Sequence, residues 1–454
     1  MSYDLRTFIH QIAQQRPNEL LVVEREVDPV FELCAVVEKL EKEQQYPGVF
    51  FKKVKGSKIP VFINSMATYD RLALSLGMSL DAAVPDYSRR EANPLPCKEV
   101  ESSQAPVHEV VLTGGEVDLD LLPFTHHNEL DAGKYISAGI SLVKDRESGK
   151  INAGIYRLQV QGKNELGFMV NPINHANYVR IDYEEHGEDM PVAIVIGHHP
   201  ALYMAAVSKI FGIGGELETA GGLMEEPLEV VKAKTIDILV PARAEIVIEG
   251  IIRPGRRRFE GPFGEWPRYY AKEGEQPVIE VTAITMRQDA ICQDLLNAHA
   301  EHHIVGAMPR MGSIYRQVKG VVPHLKGVNL PLSGTGRVFC YISIKKRSEG
   351  EPKQAAFAAL TTEPNIKHVI IVDDDIDVYN EKEVLWALAT RFEADRDLIV
   401  MPNCMGSHLI PTSYAHDRLE KGPMQTKLIM DATRPLPPVS FPAVAKVPTE
   451  ITEA

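Results

Sequence analysis

Glu260-Gly261-Pro262-Phe263-Gly264-Glu265 stands between two apolar runs, 245–252 and 278–286, that read as strands. On a plain strand, residues five apart point to opposite faces. Pro262 fixes one backbone angle and the glycines free their own, so the segment can turn and bring Glu260 and Glu265 back to one site. Arg256-Arg257-Arg258 lies just upstream. Carboxylates held together beside a guanidinium titrate apart, which leaves one of them as a proton donor. In isolation the same six residues also read as a solvated surface turn.

Outward from this turn, further strand-like runs at 140–143, 155–160, 167–170, 193–196 and 236–240 are separated by Gly, Pro, Asn and Asp. Many short strands at this spacing predict a β-barrel or sandwich over roughly 110–300. Upstream, helical spacing at 4–16 and 30–46 alternates with short strands at 49–51 and 59–63, a small α/β unit. Downstream, strands at 337–344 and 369–372 alternate with helices at 353–360 and 382–391, which predicts an α/β layer domain. The expected division is an N-terminal α/β unit at 1–105, a barrel at 106–305, a C-terminal α/β domain at 306–435 and an extended tail at 436–454.

The composition, 44% hydrophobic and 24% charged over 454 residues, suits a globular chain of two or three domains. A net charge of −13 argues against nucleic acid as a bulk partner. The sequence has no apolar run long enough for a membrane span and no signal-peptide pattern, so a cytoplasmic location is expected. Five scattered cysteines without a CxxC read as reduced thiols, not as a disulfide frame or zinc site.

Asn152, His175 and Glu216 fall at strand edges or in loops of the expected barrel. An amide oxygen, an imidazole and a carboxylate suit Mn²⁺ or Mg²⁺ better than structural zinc. From spacing alone, His175 reads equally as a loop histidine and Glu216 as a helix-start acid.

Asn152-Ala-Gly-Ile-Tyr-Arg157, Asn174-His175, Gly215-Glu216, Glu229-Val-Val-Lys232, Leu239-Val-Pro-Ala242, Glu260-Gly-Pro-Phe-Gly-Glu265 and Asp373-Asp-Asp-Ile-Asp377 occur in this order. Together they resemble the UbiD family of reversible decarboxylases that use prenylated flavin mononucleotide (prFMN), over nearly the whole chain. The resemblance implies a split β-barrel that binds prFMN and a C-terminal domain that mediates oligomerisation. It implies Asn152, His175 and Glu216 as ligands of a divalent metal bridging to the flavin phosphate. It makes Asn152, Ala153, Gly154, Ile155, Tyr156, Arg157, Asn174, His175, Glu216 and Lys367 cofactor-binding residues, Lys367 toward the phosphate. Arg157, Glu260 and Glu265 match the catalytic network, with Glu265 as proton donor. A K⁺ or Na⁺ site near 205–208, a flavin prenyltransferase that supplies the cofactor, and a homo-oligomer (dimer or hexamer) complete what the resemblance implies.

The substrate is expected from Asn297-Ala-His299-Ala-Glu-His302-His303-Ile-Val-Gly-Ala-Met-Pro-Arg310. Pro309 is expected to break the helix and turn Arg310 back toward His302. A polar pocket of this kind suits a small heteroaromatic acid, and the stretch resembles that of the furan-dicarboxylate-decarboxylating members of the family, which implies furan-2,5-dicarboxylate as the best candidate. The same stretch also reads as a hydrated helix end or a subunit contact. The alternatives are a benzoic, phenolic or acrylic acid, a non-catalytic flavin-binding assembly module, and a metal-dependent hydrolase using the Asn152/His175/Glu216 site and Asp373–Asp375.

Overall fold

Nine strands form one antiparallel sheet, in the order Tyr135–Ile136, Leu158–Gly162, Glu165–Phe168, Gly274–Met286, Ile246–Glu260, Met190–Ile196, Ile140–Lys144 and Ile151–Ile155, with Val110–Thr113 also pairing Gly274–Met286. The structure is a computed structural model and describes residues 3–172, 174–209, 212–271, 273–414, 422–445 and 447. Ile151–Ile155 ends one side of the sheet and Leu158–Gly162 lies near the other. Only Tyr156 and Arg157 separate them, a span of at most about 11 Å. The sheet must therefore curl until its two ends approach, and it forms a half-barrel. The expected continuous strand at 155–160 is thus two strands, and Arg157 sits at the crossing.

The longest ladder pairs Ile246 with Met286 and runs to Glu260 opposite Gly274, with register shifts after Glu249 and Ile252. Such bulges bend a long pair and raise its twist. At the first of them a Cβ on Gly250 would lie 2.6 Å from the Glu280 carbonyl oxygen, so the approach requires glycine. Buried Leu158, Phe168, Ile194, Ile196, Ile246, Ile248, Ile279 and Ile284 share one core with Val49, Phe51, Val61 and Ile63 from the N-terminal segment. That segment builds a second sheet, Leu20–Val27, Gly48–Val54, Val61–Ile63 and Cys292–Gln293. The last strand comes from the chain leaving the half-barrel. The helix Leu5–Gln15 begins at a capping box in which Asp4 accepts from the Thr7 amide.

Contacts gather the chain into two compact units, 1–313 with 408–415, and 314–407 with 416–454. The second holds a five-stranded sheet in the order Leu325–Asn329, Phe339–Ile344, His368–Asp373, Met424–Ala432 and Leu398–Met405. Its three inner strands are parallel and both outer pairings antiparallel. The helices Glu351–Thr362 and Glu381–Arg391 pack against it. Part of the expected tail, 446 and 448–454, lies outside the described residues.

Pro309 does not break its helix. Ala300–Val321 runs through it for 22 residues. Proline removes one amide donor, but buried Ile304, Val305, Ala307, Met308 and Met311 hold both halves on one axis. Among the described residues, no helix is long and apolar enough to cross a membrane.

Candidate active site

Glu260 ends the long strand, buried, and the chain then turns at Gly261, whose φ of 96° favours glycine. Phe263–Gly264 follows and pairs with Tyr270–Ala271. The turn meets the crossing point of the sheet. Arg157 donates from Nη2 to Glu260 Oε2 at 2.6 Å and from Nη1 to Glu265 Oε1 at 3.2 Å. The side chains of Arg157, Glu260 and Glu265 are 5%, 0% and 13% exposed, so Glu265 is the member within reach of a bound molecule. The guanidinium also lies 5.2 Å from the Phe263 ring centroid. Tyr135 packs on Phe263 at 4.4 Å; burial first, then Glu260, push its hydroxyl far above its ordinary range. Glu260 Oε1 and Arg157 Nε are buried without a protein partner. The cation that joins the two acids is therefore Arg157. Arg256, Arg257 and Arg258, the upstream triplet, pair instead with Glu165, Glu184 and Glu280.

Asn152 and Glu216 also meet. Asn152 Nδ2 donates to Glu216 Oε1 at 2.7 Å, and the Ala153 amide donates to Oε2 at 3.3 Å. Glu216 opens the helix Glu216–Met224, and burial pushes its carboxyl up to about 7. Asn152 Oδ1 is buried without a partner. A desolvated carboxylate and an orphaned amide oxygen are what a divalent cation would satisfy, so the pair fits the expected metal. His175 begins the helix His175–Glu185, and the neighbouring Ala176 amide faces the Tyr156 hydroxyl, which in turn senses Glu216. Gly154 is obligatory there, because its Cβ would lie 2.6 Å from that hydroxyl. Asn174 is the N-cap of the same helix and is half-buried. Ile155 ends its strand and Tyr156 starts the crossing.

The substrate residues are placed differently from expectation. His302 and Arg310 share one continuous helix, about 12 Å apart along its axis. His302 Nδ1 accepts from the Ala298 amide at 3.4 Å. Arg310 folds back one turn and donates to the Gly306 carbonyl. The helix does not break at Pro309, so the expected turn of the chain at Arg310 is absent. Around them, His299 bonds Glu41 at 2.9 Å and His303 bonds the Trp266 carbonyl at 2.8 Å.

Lys367 belongs to the second unit, directly before His368–Asp373, and its amide donates to the Val338 carbonyl. In 205–208, Ser208 Oγ bonds the Met204 carbonyl and the Tyr87 hydroxyl. Asp373 and Asp375 are neutralised by Arg391 at 2.7 and 3.0 Å and by Arg434 at 3.2 and 3.3 Å. Two of the three carboxylates of this run are thus held in ion pairs within the second unit.

Sequence reasoning missed Asp131, whose Oδ1 accepts the Gly264 amide at 2.8 Å, and Tyr135. Neither carries a local motif; only the fold brings 131–135 to the turn.

The chain belongs to the UbiD family. The family profiles for the 3-octaprenyl-4-hydroxybenzoate carboxy-lyase N-terminal, Rift-related and C-terminal domains match residues 13–91, 98–299 and 303–432. Its class is that of the prFMN-dependent carboxy-lyases. An anhydromevalonate phosphate decarboxylase of Methanothermobacter thermautotrophicus is 34% identical over 95% of this chain and 97% of its own length. The UbiD-class enzyme HmfF from Pelotomaculum thermopropionicum, solved in complex with FMN, is 36% identical. It superposes with a TM-score of 0.92 over 99% of this chain and 98% of its own. An evolved dimeric form of HmfF in complex with prFMN is 35% identical with a TM-score of 0.89, over 99% and 98%.

Proposed function

We propose that this chain decarboxylates a small heteroaromatic carboxylic acid, with prFMN and a divalent metal, and that Glu265 delivers the proton. The observation that carries this is the buried Arg157 bridging Glu260 and Glu265 at 2.6 and 3.2 Å. One guanidinium beside two carboxylates leaves one net negative charge in a largely buried site. A single proton offsets it, and on Glu265 that proton faces the open side.

In this mechanism Arg157 orients the substrate carboxylate or Glu260 through its planar fork. When bound, prFMN supplies the electron sink for the pair left as carbon dioxide departs. Glu265 then gives its proton to the carbon that lost the carboxylate. Glu260, fully buried, holds Arg157 in place. Asn152, His175 and Glu216 would hold the metal, and the run from Asn152 to Arg157 with Asn174, His175 and Lys367 would hold the flavin phosphate and ring. A monovalent cation near 205–208, a prenyltransferase as cofactor source and assembly into a homo-oligomer belong to the same proposal.

For the acid, the histidine-rich start of the Ala300–Val321 helix supports a polar substrate, best furan-2,5-dicarboxylate. Arg310→Ala tests it. A charge-assisted pair contributes roughly 1.5–3 kcal/mol, so kcat/KM for the dicarboxylate should fall about ten- to a hundredfold more than for furan-2-carboxylate. Equal losses on both acids would reject the dicarboxylate and leave the decarboxylase proposal standing.

A further inference from the structure

Three consecutive residues of the catalytic turn are anchored through their backbone. Asp131 Oδ1 accepts the Gly264 amide at 2.8 Å, while its Oδ2 accepts from the amide and side chain of Asn128 at 2.9 and 3.1 Å. Glu265 donates to the Tyr269 carbonyl at 3.0 Å and accepts from the Arg268 amide at 2.8 Å. His303 Nε2 bonds the Trp266 carbonyl at 2.8 Å. A carbonyl only accepts, so Nε2 carries the proton. Asp131 and His303 are 5% and 4% exposed.

The two partners come from distant parts of the chain. Asp131 sits in a loop that also donates the Ala132 amide to the Pro262 carbonyl at 2.9 Å and the Leu130 amide to the Tyr270 hydroxyl at 3.0 Å. His303 sits in the first turn of Ala300–Val321. A side chain at position 264 would bring its Cβ within 2.7 Å of Asn128 Nδ2, the group that also bonds Asp131.

We infer that Asp131 and His303 are positioning residues that grip the backbone on either side of Glu265 and so aim its carboxyl at the reacting carbon. This rests on Glu265 as the proton donor. Bonds at 264 and 266 add to the backbone bonds of Glu265 itself, and together they leave its carboxyl only the side-chain torsions. Proton delivery depends steeply on such placement, and an error of about 1 Å costs roughly a hundredfold.

The test uses the cofactor-loaded protein and the variants Asp131→Ala, His303→Leu and His303→Gln, the last keeping an N–H donor. Asp131→Ala and His303→Leu should lower kcat about ten- to a hundredfold with KM changed less than about threefold. Amide exchange in 261–271 should quicken while Phe339–Ile344 keeps its protection. His303→Gln should recover most of kcat. Wild-type exchange in 261–271, a loss confined to KM, or His303→Gln as damaged as His303→Leu would overturn the inference. If Asp131→Ala does not fold, the two His303 variants decide. Full turnover by Glu265→Gln would remove the donor itself. An inactive Glu265→Gln beside fully active Asp131→Ala and His303→Leu would reject the grip alone.

Discussion

Arg157 does the joining that the sequence suggested for its neighbours. Three arginines stand a few residues from Glu260, yet the guanidinium that reaches both acids comes from a strand end about a hundred residues earlier. The difference is topological: the triplet lies on the ladder beside Glu165, Glu184 and Glu280, which take its charge. Asn152 and Glu216 were legible as residue types with metal chemistry, but their 2.7 Å contact arises only when the helix Glu216–Met224 packs on the strand Ile151–Ile155. His175→Ala should lower bound metal and bound flavin together, because a lost ligand weakens affinity about ten- to a hundredfold. Elemental analysis and the flavin absorbance of the purified variant measure both. Unchanged content of either would show that His175 is no ligand.

At the scale of elements, periodicity located most strands and helices, and failed where side-chain chemistry hid the backbone pattern. The stretch from Asn297 to Arg310 drew attention for its histidines, and its continuation as a 22-residue helix was missed because Pro309 signalled a stop. The run at 155–160 read as one strand because Tyr156 and Arg157 do not interrupt its apolar pattern; the break follows from closing the half-barrel. Glu301 shows what fastens the long helix. Its carboxyl is buried and accepts from the Asn64 amide, the Ser65 hydroxyl and the Met66 amide at 2.7, 2.9 and 2.8 Å. Burial nevertheless pushes it up to about 7, from 4.5 in an unfolded chain. The folded state therefore keeps a proton that the unfolded state gives up. Stability from this group is complete below about pH 4.5 and is lost as pH rises through about 7, on the order of 3 kcal/mol. Denaturant unfolding at pH 5 and pH 8 should show the wild type falling relative to Glu301→Gln, which has no such proton. Parallel pH dependence in the two proteins would contradict the assignment.

For the whole molecule, order of motifs along the chain identified the family, while composition and charge only permitted it. Asp373–Asp375 entered the hydrolase alternative; pairing of Asp373 and Asp375 with Arg391 and Arg434 makes them part of the second unit's framework. Arg391→Ala leaves carboxylates without their inner cation and should destabilise that unit by roughly 3–5 kcal/mol. Amide exchange should then quicken in His368–Asp373 and Glu381–Arg391, with Ile246–Glu260 unaffected; unchanged protection in the second unit would refute the role. The proposed decarboxylation rests on Glu265 as the proton donor. The most direct measurement is carbon dioxide release by the prFMN-loaded protein over furan, pyrrole, benzoic and acrylic acids, for the wild type and Glu265→Gln side by side. Release from a five-membered heteroaromatic acid by the wild type, reduced to background in a Glu265→Gln protein that retains cofactor, is the predicted result. Release from none of the acids, or wild-type rates from Glu265→Gln, would contradict it.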